Sequence, residues 1–189
     1  MSTETLSRFF AALAIGTFAA TLTVVALAIT RRARPDSGAA ALLDDVAENS
    51  LWLAALVAAV TSGGSLYYSL GAHFNPCELC WYQRICVYPL AVVLLIAAAR
   101  RDFAYWRYGL PPAAVGIVIA AYHSQLQAFP SQATFCRLDN PCTVRYVWQF
   151  GFVSLPLMDL AALTFIAAML LLARDWEHRA IASTECAES

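Results

Sequence analysis

The chain has 189 residues, of which 60% are hydrophobic, and it carries a formal net charge of −1. A mean hydropathy of +0.60 excludes an ordinary soluble domain of this length and favours an integral membrane protein. All twelve basic residues are arginines, and they cluster at the ends of apolar runs, a pattern typical of membrane orientation and not of a nucleic-acid partner.

Five apolar stretches are long enough to cross a hydrocarbon core as helices, which takes about 20 residues each. In chain order they are approximately Phe9–Thr30, Leu51–Leu70, Trp81–Ala99, Leu110–Gln127 and Phe152–Ala173. In lipid they must be helical, because an open strand would leave backbone groups without hydrogen bonds. The sequence therefore predicts an all-α integral membrane protein, with a four-helix transmembrane bundle and one additional N-terminal transmembrane helix.

The predicted organisation has three parts. Residues 1–50 form the N-terminal transmembrane helix and a cytoplasmic linker, 51–175 form the bundle, and 176–189 form a cytoplasmic tail. Within the linker, residues 39–48 fit either a short interfacial helix or a loop, and the sequence leaves this open.

The arginines predict how the spans are oriented. Clusters follow the first span, separate the third span from the fourth, and follow the fifth: Arg31, Arg32, Arg34, Arg100, Arg101, Arg107, Arg174 and Arg179. Placing all of them in the cytoplasm puts the N-terminus and two cysteine loops, about residues 71–80 and 128–151, outside. Ala26-Leu27-Ala28 resembles a signal-peptidase site, and cleavage there would reverse this arrangement. The later arginine clusters favour an uncleaved span.

The first cysteine pair, Cys77 and Cys80, lies at the start of the third span, directly after Pro76. The N-terminus of a helix carries partial positive charge, which favours a thiolate over a thiol. Arg84 lies four residues beyond Cys80 and projects from the same helix face. Its guanidinium would stabilise a thiolate on Cys80, or an anionic acceptor next to it. The alternative is an arginine that extends to the lipid headgroups.

The second pair, Cys136 and Cys142, brackets the turn-forming residues Asp139-Asn140-Pro141. Closing so small a loop stabilises a fold by roughly 2.4 kcal/mol in the chain-entropy estimate, so the pair is better suited to exchange than to a structural role. The external face is oxidising, and both loops are predicted to lie on it, so one pair can exchange with the other. Because the first pair lies at the lipid boundary, a lipid-soluble two-electron acceptor is expected there, and that means a quinone.

Three other residues carry weaker signals. Cys86 lies inside the third span, where a buried cysteine usually serves as a small apolar filler. Cys186 lies in the predicted tail and is assigned no role. Asp159 falls inside the last span, and an ionisable group there is a candidate functional residue by default.

The residues around the first pair resemble a known signature. The run Cys77-Glu-Leu-Cys80-Trp-Tyr-Gln-Arg84-Ile85, followed by Tyr88-Pro89, resembles the DsbB/BdbC family of membrane disulfide-bond formation proteins, in its BdbC-like branch. The segments from His123 to Gln127 and from Phe152 to Pro156 are also similar to segments of that family. The resemblance covers roughly residues 67–172. It implies a four-helix bundle that oxidises an extracytoplasmic thioredoxin-fold (DsbA-like) partner and passes the electrons to a membrane quinone, either ubiquinone or menaquinone.

The same resemblance implies a path for the electrons. Cys136 would form the mixed disulfide with the partner, and Cys142 would then exchange with Cys77. The two cysteines of the second pair are close together in the sequence, whereas a long loop separates them in the proteobacterial branch. This difference bears on the interloop disulfide step more than on the chemistry at Cys77 and Cys80.

At the other end of the path, the resemblance implies that Cys80 faces the quinone with Arg84 beside it. His123 matches a family position near the quinone, although a histidine in a helix bundle can also be a satisfied structural residue. The first span has no counterpart in the four-helix core, and the sequence assigns it no role.

Two alternatives compete with a thiol:quinone oxidoreductase. A quinone reductase resembling the vitamin K epoxide reductases also pairs four cysteines in a helix bundle, but the cysteine order and the residues 81–84 fit it less well. A zinc-binding membrane module would use four thiolate ligands, Cys77, Cys80, Cys136 and Cys142. An oxidising face disfavours four free thiolates, so the quinone-dependent enzyme is the leading prediction.

Overall fold

Six α-helices make up most of the chain in the computed structural model, which describes residues 2–35, 37–132 and 141–188, with side chains as far as Thr184. They are α1 Thr3–Ala33, α2 Gly38–Glu48, α3 Ser50–Leu66, α4 Glu78–Arg100, α5 Trp106–Ala128 and α6 Leu155–Glu188. A π-helical turn, Tyr67–Gly71, continues α3, and short 3-10 turns lie at Phe103–Tyr105 and Pro130–Gln132. The predictions for Cys136, for the turn at Asp139 and Asn140, and for the Cys186 side chain lie outside the described residues.

The predicted all-α membrane architecture is confirmed. Within the described ranges, four helical segments combine the length and the apolarity needed to cross a membrane: Thr3–Ala33, Ser50–Gly71, Glu78–Arg100 and Leu155–Thr184. The predicted span Leu110–Gln127 corresponds to α5, a helix of 23 residues with two internal prolines. Because α5 is not among these four segments, the predicted count of five spans is not established.

Helix α5 nevertheless extends from one end of the bundle to the other. At its start, the Trp106 indole donates a hydrogen bond to Glu177, near the end of α6, at 2.7 Å. Near its end, the His123 ring lies 3.8 Å from the sulfur of Cys77, at the start of α4. Helices α4 and α5 therefore run antiparallel, and the start of α4 lies next to the end of α5 at the cysteine end of the bundle.

The helices pack closely because small residues lie between them. Leu94 of α4 and Leu163 of α6 are fully buried in a core that all the long helices share. At Gly116 of α5 an added Cβ would lie only 2.8 Å from Leu163, so glycine allows α5 and α6 to approach. Close backbone approach is a main source of helix association in lipid, where apolar burial contributes little. Cys86 is buried against the same glycine, in keeping with a packing role.

The structure resolves one segment that the sequence left open and extends the last helix beyond its predicted end. Residues 39–48, which the sequence left open, belong to helix α2. Helix α6 continues to Glu188, whereas the predicted span ended at Ala173 and a tail was expected to follow. The continuation contains neither proline nor glycine, and Arg179 pairs with Asp175 one turn earlier at 3.7 Å. Nothing in its composition ends the helix where the apolar run ends.

The arginine clusters lie at the opposite end of the bundle from Cys77, Cys80 and Cys142. Arg31, at the end of α1, forms ion pairs with Asp44 of α2 at 3.1 Å and with Asp175 of α6. The opposite end carries Cys77 at the start of α4 and Cys142 after α5. This separation is what the predicted orientation requires, and the side of the membrane on which each end lies stays a prediction.

The loop between α5 and α6 ends in a small hairpin. Strands β1 (Trp148–Gln149) and β2 (Val153–Ser154) pair antiparallel, and Gly151 in the turn has a φ of +82°, which suits glycine. Tyr146, just before β1, stacks on Phe74 with ring centroids 4.8 Å apart. The segment that leads into the hairpin is thus tied to the turn that precedes the first cysteine pair.

Candidate redox site

Cys77 occupies the N-cap of α4, the position at which a side chain meets the free backbone N–H groups of a helix. Its sulfur accepts a hydrogen bond from the backbone N–H of Cys80 at 3.4 Å. The two sulfurs lie 2.9 Å apart, and both residues are free thiols in this structure. A disulfide bond is about 2.05 Å long, so a small side-chain rotation would let this pair close on oxidation.

His123 joins the first pair to the second loop. Its Nε2 lies 3.8 Å from the sulfur of Cys77 and 3.1 Å from the backbone carbonyl oxygen of Cys142. Its Nδ1 lies 3.1 Å from Oε1 of Gln83. The buried ring thus meets carbonyl acceptors on both sides. A ring N–H directed at this side of the site would favour a thiolate on the adjacent Cys77 sulfur.

These contacts favour Cys77 as the thiolate of the pair. The hydrogen bond from the Cys80 thiol lowers the pKa of Cys77 to about 4; burial opposes this effect, and His123 adds to it. From the sequence, Arg84 was expected to stabilise either a thiolate on Cys80 or an anionic acceptor next to it. The structure favours Cys77 instead, because Cys77 is the residue that caps the helix and faces His123.

We expect the Cys77 thiolate of the reduced protein to persist across the neutral pH range. Its pKa in the folded protein is below the ordinary value of 9.0, so the charged form is present above about pH 4 and is lost as the pH falls through that value. The measurement is the ultraviolet absorbance of the thiolate during an acid titration, with Cys77→Ser as the blank. Replacing His123 by alanine should raise the midpoint. A wild-type midpoint near about 8.5, the value of an ordinary cysteine, would contradict the assignment.

Cys142 is the residue of the second pair that the structure describes, and it lies next to the first pair. It is 1% exposed and disulfide-bonded, and its bonding partner lies outside the described residues. Its side chain packs in one apolar cluster with Cys77, Leu79 and Leu126. The structure therefore brings Cys142 to the first pair, and Cys136 lies outside the described residues.

Arg84 is held inside the bundle. Its Nε donates to the hydroxyl of Ser65 at 3.0 Å, and its Nη2 donates to the Ser65 carbonyl at 3.2 Å and to the Ser69 hydroxyl. The guanidinium carbon also lies 5.2 Å from the ring centroid of Trp81. An arginine extended towards lipid headgroups, the alternative considered from the sequence, is not observed.

A cavity of about 300 Å³ lies beside Cys80. Its polar lining includes Cys80, Gln83, Arg84, His123 and Asp159, and its wall is otherwise largely apolar. The buried side chains of Gln83 and Asp159 interact with each other at this cavity, although neither Nε2 of Gln83 nor Oδ2 of Asp159 has a partner of good hydrogen-bond geometry. They therefore give the cavity a donor and an acceptor for a polar ligand.

Sequence reasoning missed Gln83. Its position, three residues after Cys80, puts it on the same helix face and was the available signal. The structure also gives Asp159 a location, on the wall of this cavity.

Three ligand atoms at the site are also spaced for a metal ion. One atom each from Cys77, Cys80 and His123 lie within 4.8 Å of one another. The zinc alternative instead required a thiolate from Cys142, which is disulfide-bonded here. The described residues therefore offer a different and smaller ligand set from the one the sequence suggested.

The sequence of the chain matches a family of known proteins. The profile of the family described as "Disulfide bond formation protein DsbB" matches residues 47–188. A "Probable disulfide formation protein" of Oceanobacillus iheyensis is 38% identical over 138 residues, which cover 71% of this chain and 95% of that protein. A protein of the same description from Coxiella burnetii is 38% identical over 127 residues, 66% of this chain and 86% of the relative. A "Probable disulfide formation protein C" of Bacillus cereus is 41% identical over 119 residues, 61% of this chain and 83% of the relative. No solved structure gives a significant match.

Proposed function

Because the chain belongs to the DsbB family of disulfide bond formation proteins, we propose that it is a quinone-dependent protein disulfide oxidoreductase. Membership makes it a multi-pass membrane protein that acts in disulfide bond formation. The finer proposal is that it reoxidises an extracytoplasmic thioredoxin-fold (DsbA-like) dithiol oxidase at the cell membrane. One observation supports it most: a single nitrogen of His123 contacts both the Cys77 sulfur and the Cys142 carbonyl.

The first transfer takes electrons from the partner into the second pair. Cys142 is almost completely buried, so in this proposal the partner's thiolate attacks Cys136. A mixed disulfide forms, the bond between Cys136 and Cys142 breaks, and Cys142 leaves as a thiolate. The partner's second thiolate then displaces Cys136, which leaves the partner oxidised.

The second transfer moves the electron pair to the first pair. The Cys142 thiolate attacks Cys77 in the Cys77–Cys80 disulfide, and Cys80 leaves with the electrons. Cys136 then attacks Cys142, restores the second disulfide and releases Cys77. A leaving thiol departs faster when its pKa is low, so the lowered pKa of Cys77 favours this release. The net result is an oxidised partner and a reduced first pair.

The cavity residues fit a quinone as the acceptor. The volume of about 300 Å³ is at the lower end of the range for small-molecule sites, about 300–1,000 Å³. Arg84 and Nε2 of Gln83 are donors suited to carbonyl oxygens, and the apolar wall suits a ring and its hydrocarbon tail. When bound, a quinone would accept the two electrons that closing the Cys77–Cys80 disulfide releases. Because Cys77 is already a thiolate, the pair supplies one proton, from the Cys80 thiol, and the second proton that the quinone takes up would come from solvent. Ubiquinone and menaquinone both meet these requirements.

The test is an assay with purified protein, a reduced thioredoxin-fold partner and each quinone, following quinone absorbance. Wild type should reduce at least one of them. Arg84→Ala should raise the KM for quinone about tenfold to a hundredfold, since a hydrogen bond to a charged group contributes about 1.5–3 kcal/mol. Disulfide exchange between the two pairs should be unchanged, and Arg84→Lys should recover part of the loss.

Two outcomes would contradict this account. If wild type reduces neither quinone, the function is wrong, and one tightly held zinc ion per chain would then favour the metal-binding alternative. If Arg84→Ala slows exchange and quinone reduction equally, Arg84 is a structural residue.

A further inference from the structure

Helix α1 lies outside the part of the chain that is shared with the family. The matched region begins at residue 47, and α1 ends at Ala33. The alignment with the Oceanobacillus relative includes 95% of that protein but only 71% of this chain. A role for α1 must therefore be found in its own contacts.

Those contacts lead to the cavity beside Cys80. Four residues of α1 line it, at the spacing of a single helix face: Phe10, Leu13, Ala14 and Thr17. The Thr17 hydroxyl donates to the Leu13 carbonyl within α1, at 2.8 Å, so this face presents an apolar surface to the cavity. The polar groups of the cavity come from the other helices.

Helix α1 is attached to the bundle at both ends. At the cysteine end, the Tyr68 hydroxyl donates to Ser7, which is buried, at 3.1 Å. Phe10 covers Gly64 of α3, where an added Cβ would lie 3.2 Å from the ring. At the arginine end, Arg31 holds α2 and α6 through Asp44 and Asp175. The lining face is therefore fixed in position rather than free to turn towards lipid.

We propose that α1 is a specificity-determining wall of the quinone site, and that its apolar face contacts the hydrocarbon tail next to the quinone ring. The proposal rests on the proposed function. The division of the cavity supports it: the donors that suit carbonyl oxygens, Gln83 and Arg84, lie on α4, while α1 offers only apolar contact. Residues on the other side of α1, such as Ile15 and Leu22, are exposed and suit lipid.

The test measures binding, not turnover. Equilibrium dialysis gives the Kd of the full-length, detergent-purified protein for a decyl-tailed benzoquinone and for a tailless benzoquinone. Ala14→Trp, which places a bulky ring at the cavity, should weaken binding of the tailed compound by about tenfold or more. A loss of that size corresponds to about two methylene groups of the tail that no longer contact the protein. Binding of the tailless compound should change by less than about twofold.

The matched control is Ala12→Trp, the same substitution at an exposed position of the same helix outside the cavity lining. It should bind both compounds like wild type. Leu13→Ala provides a second variant that only removes volume, and it should weaken the tailed compound by roughly threefold to tenfold. Intact mass should show that residues 3–33 are retained.

The outcomes separate this inference from the proposed function. If wild type binds neither quinone, the function fails. If wild type binds the tailed compound and both cavity-face variants bind it equally well, only the role of α1 fails. The inference is also overturned if tailed and tailless compounds lose affinity alike, or if the mature protein lacks α1.

Discussion

Replacing Cys80 by serine is expected to abolish quinone reduction. Of the cysteines that the structure describes, Cys80 is the one that lines the cavity, and Cys77 lies behind it against His123. A serine hydroxyl cannot form a disulfide, so the first pair could not close and release its electrons. Turnover should fall to the uncatalysed background, a larger loss than any change in quinone affinity would cause.

The control for this variant is Cys86→Ala. Cys86 lies on the same helix but is buried against Gly116 in the core, outside the cavity lining. It should keep wild-type turnover, with at most a small loss of stability from the missing sulfur. The measurement is quinone absorbance after addition of a reduced thioredoxin-fold partner. Full turnover by Cys80→Ser would remove the assigned role from that residue.

The coarse features of the site were available from the sequence. The length of the apolar runs predicts membrane helices, and the arginine clusters predict that the cysteines share one end of the bundle. Pro76 followed by an apolar run predicts that Cys77 and Cys80 lie at a helix start. Four of the runs are long and apolar enough to span a membrane, Cys77 is the N-cap of α4, and the arginine clusters lie at the far end from Cys77 and Cys142; Cys136 lies outside the described residues.

Finer features depended on contacts between residues far apart in the chain. Identifying the thiolate required the start of α4 to within one residue, because only that shows which cysteine is the N-cap. It also required knowing which cysteine faces His123, which lies on a different helix. Helix boundaries cannot be read from sequence to that precision. The role of α1 was hidden for a related reason. Its sequence is apolar on all sides, so no periodicity marks the face that meets the cavity.

The contact between the two loops leads to the second large effect. In a Cys80→Ser, Cys136→Ala double variant, Cys77 and Cys142 each lose their usual disulfide partner. They share one buried cluster, and both contact His123, so they should form a disulfide with each other almost completely. The proposed path requires this bond as its intermediate. Adding Cys77→Ser should eliminate the bond while leaving Cys86 available as a competing thiol.

The most direct measurement is peptide mapping by mass spectrometry of that double variant, after mild oxidation and alkylation of the remaining thiols. We predict one dominant cross-linked peptide that joins Cys77 to Cys142. If both cysteines are instead recovered alkylated, the two loops do not exchange electrons, and the proposed path from partner to quinone is wrong.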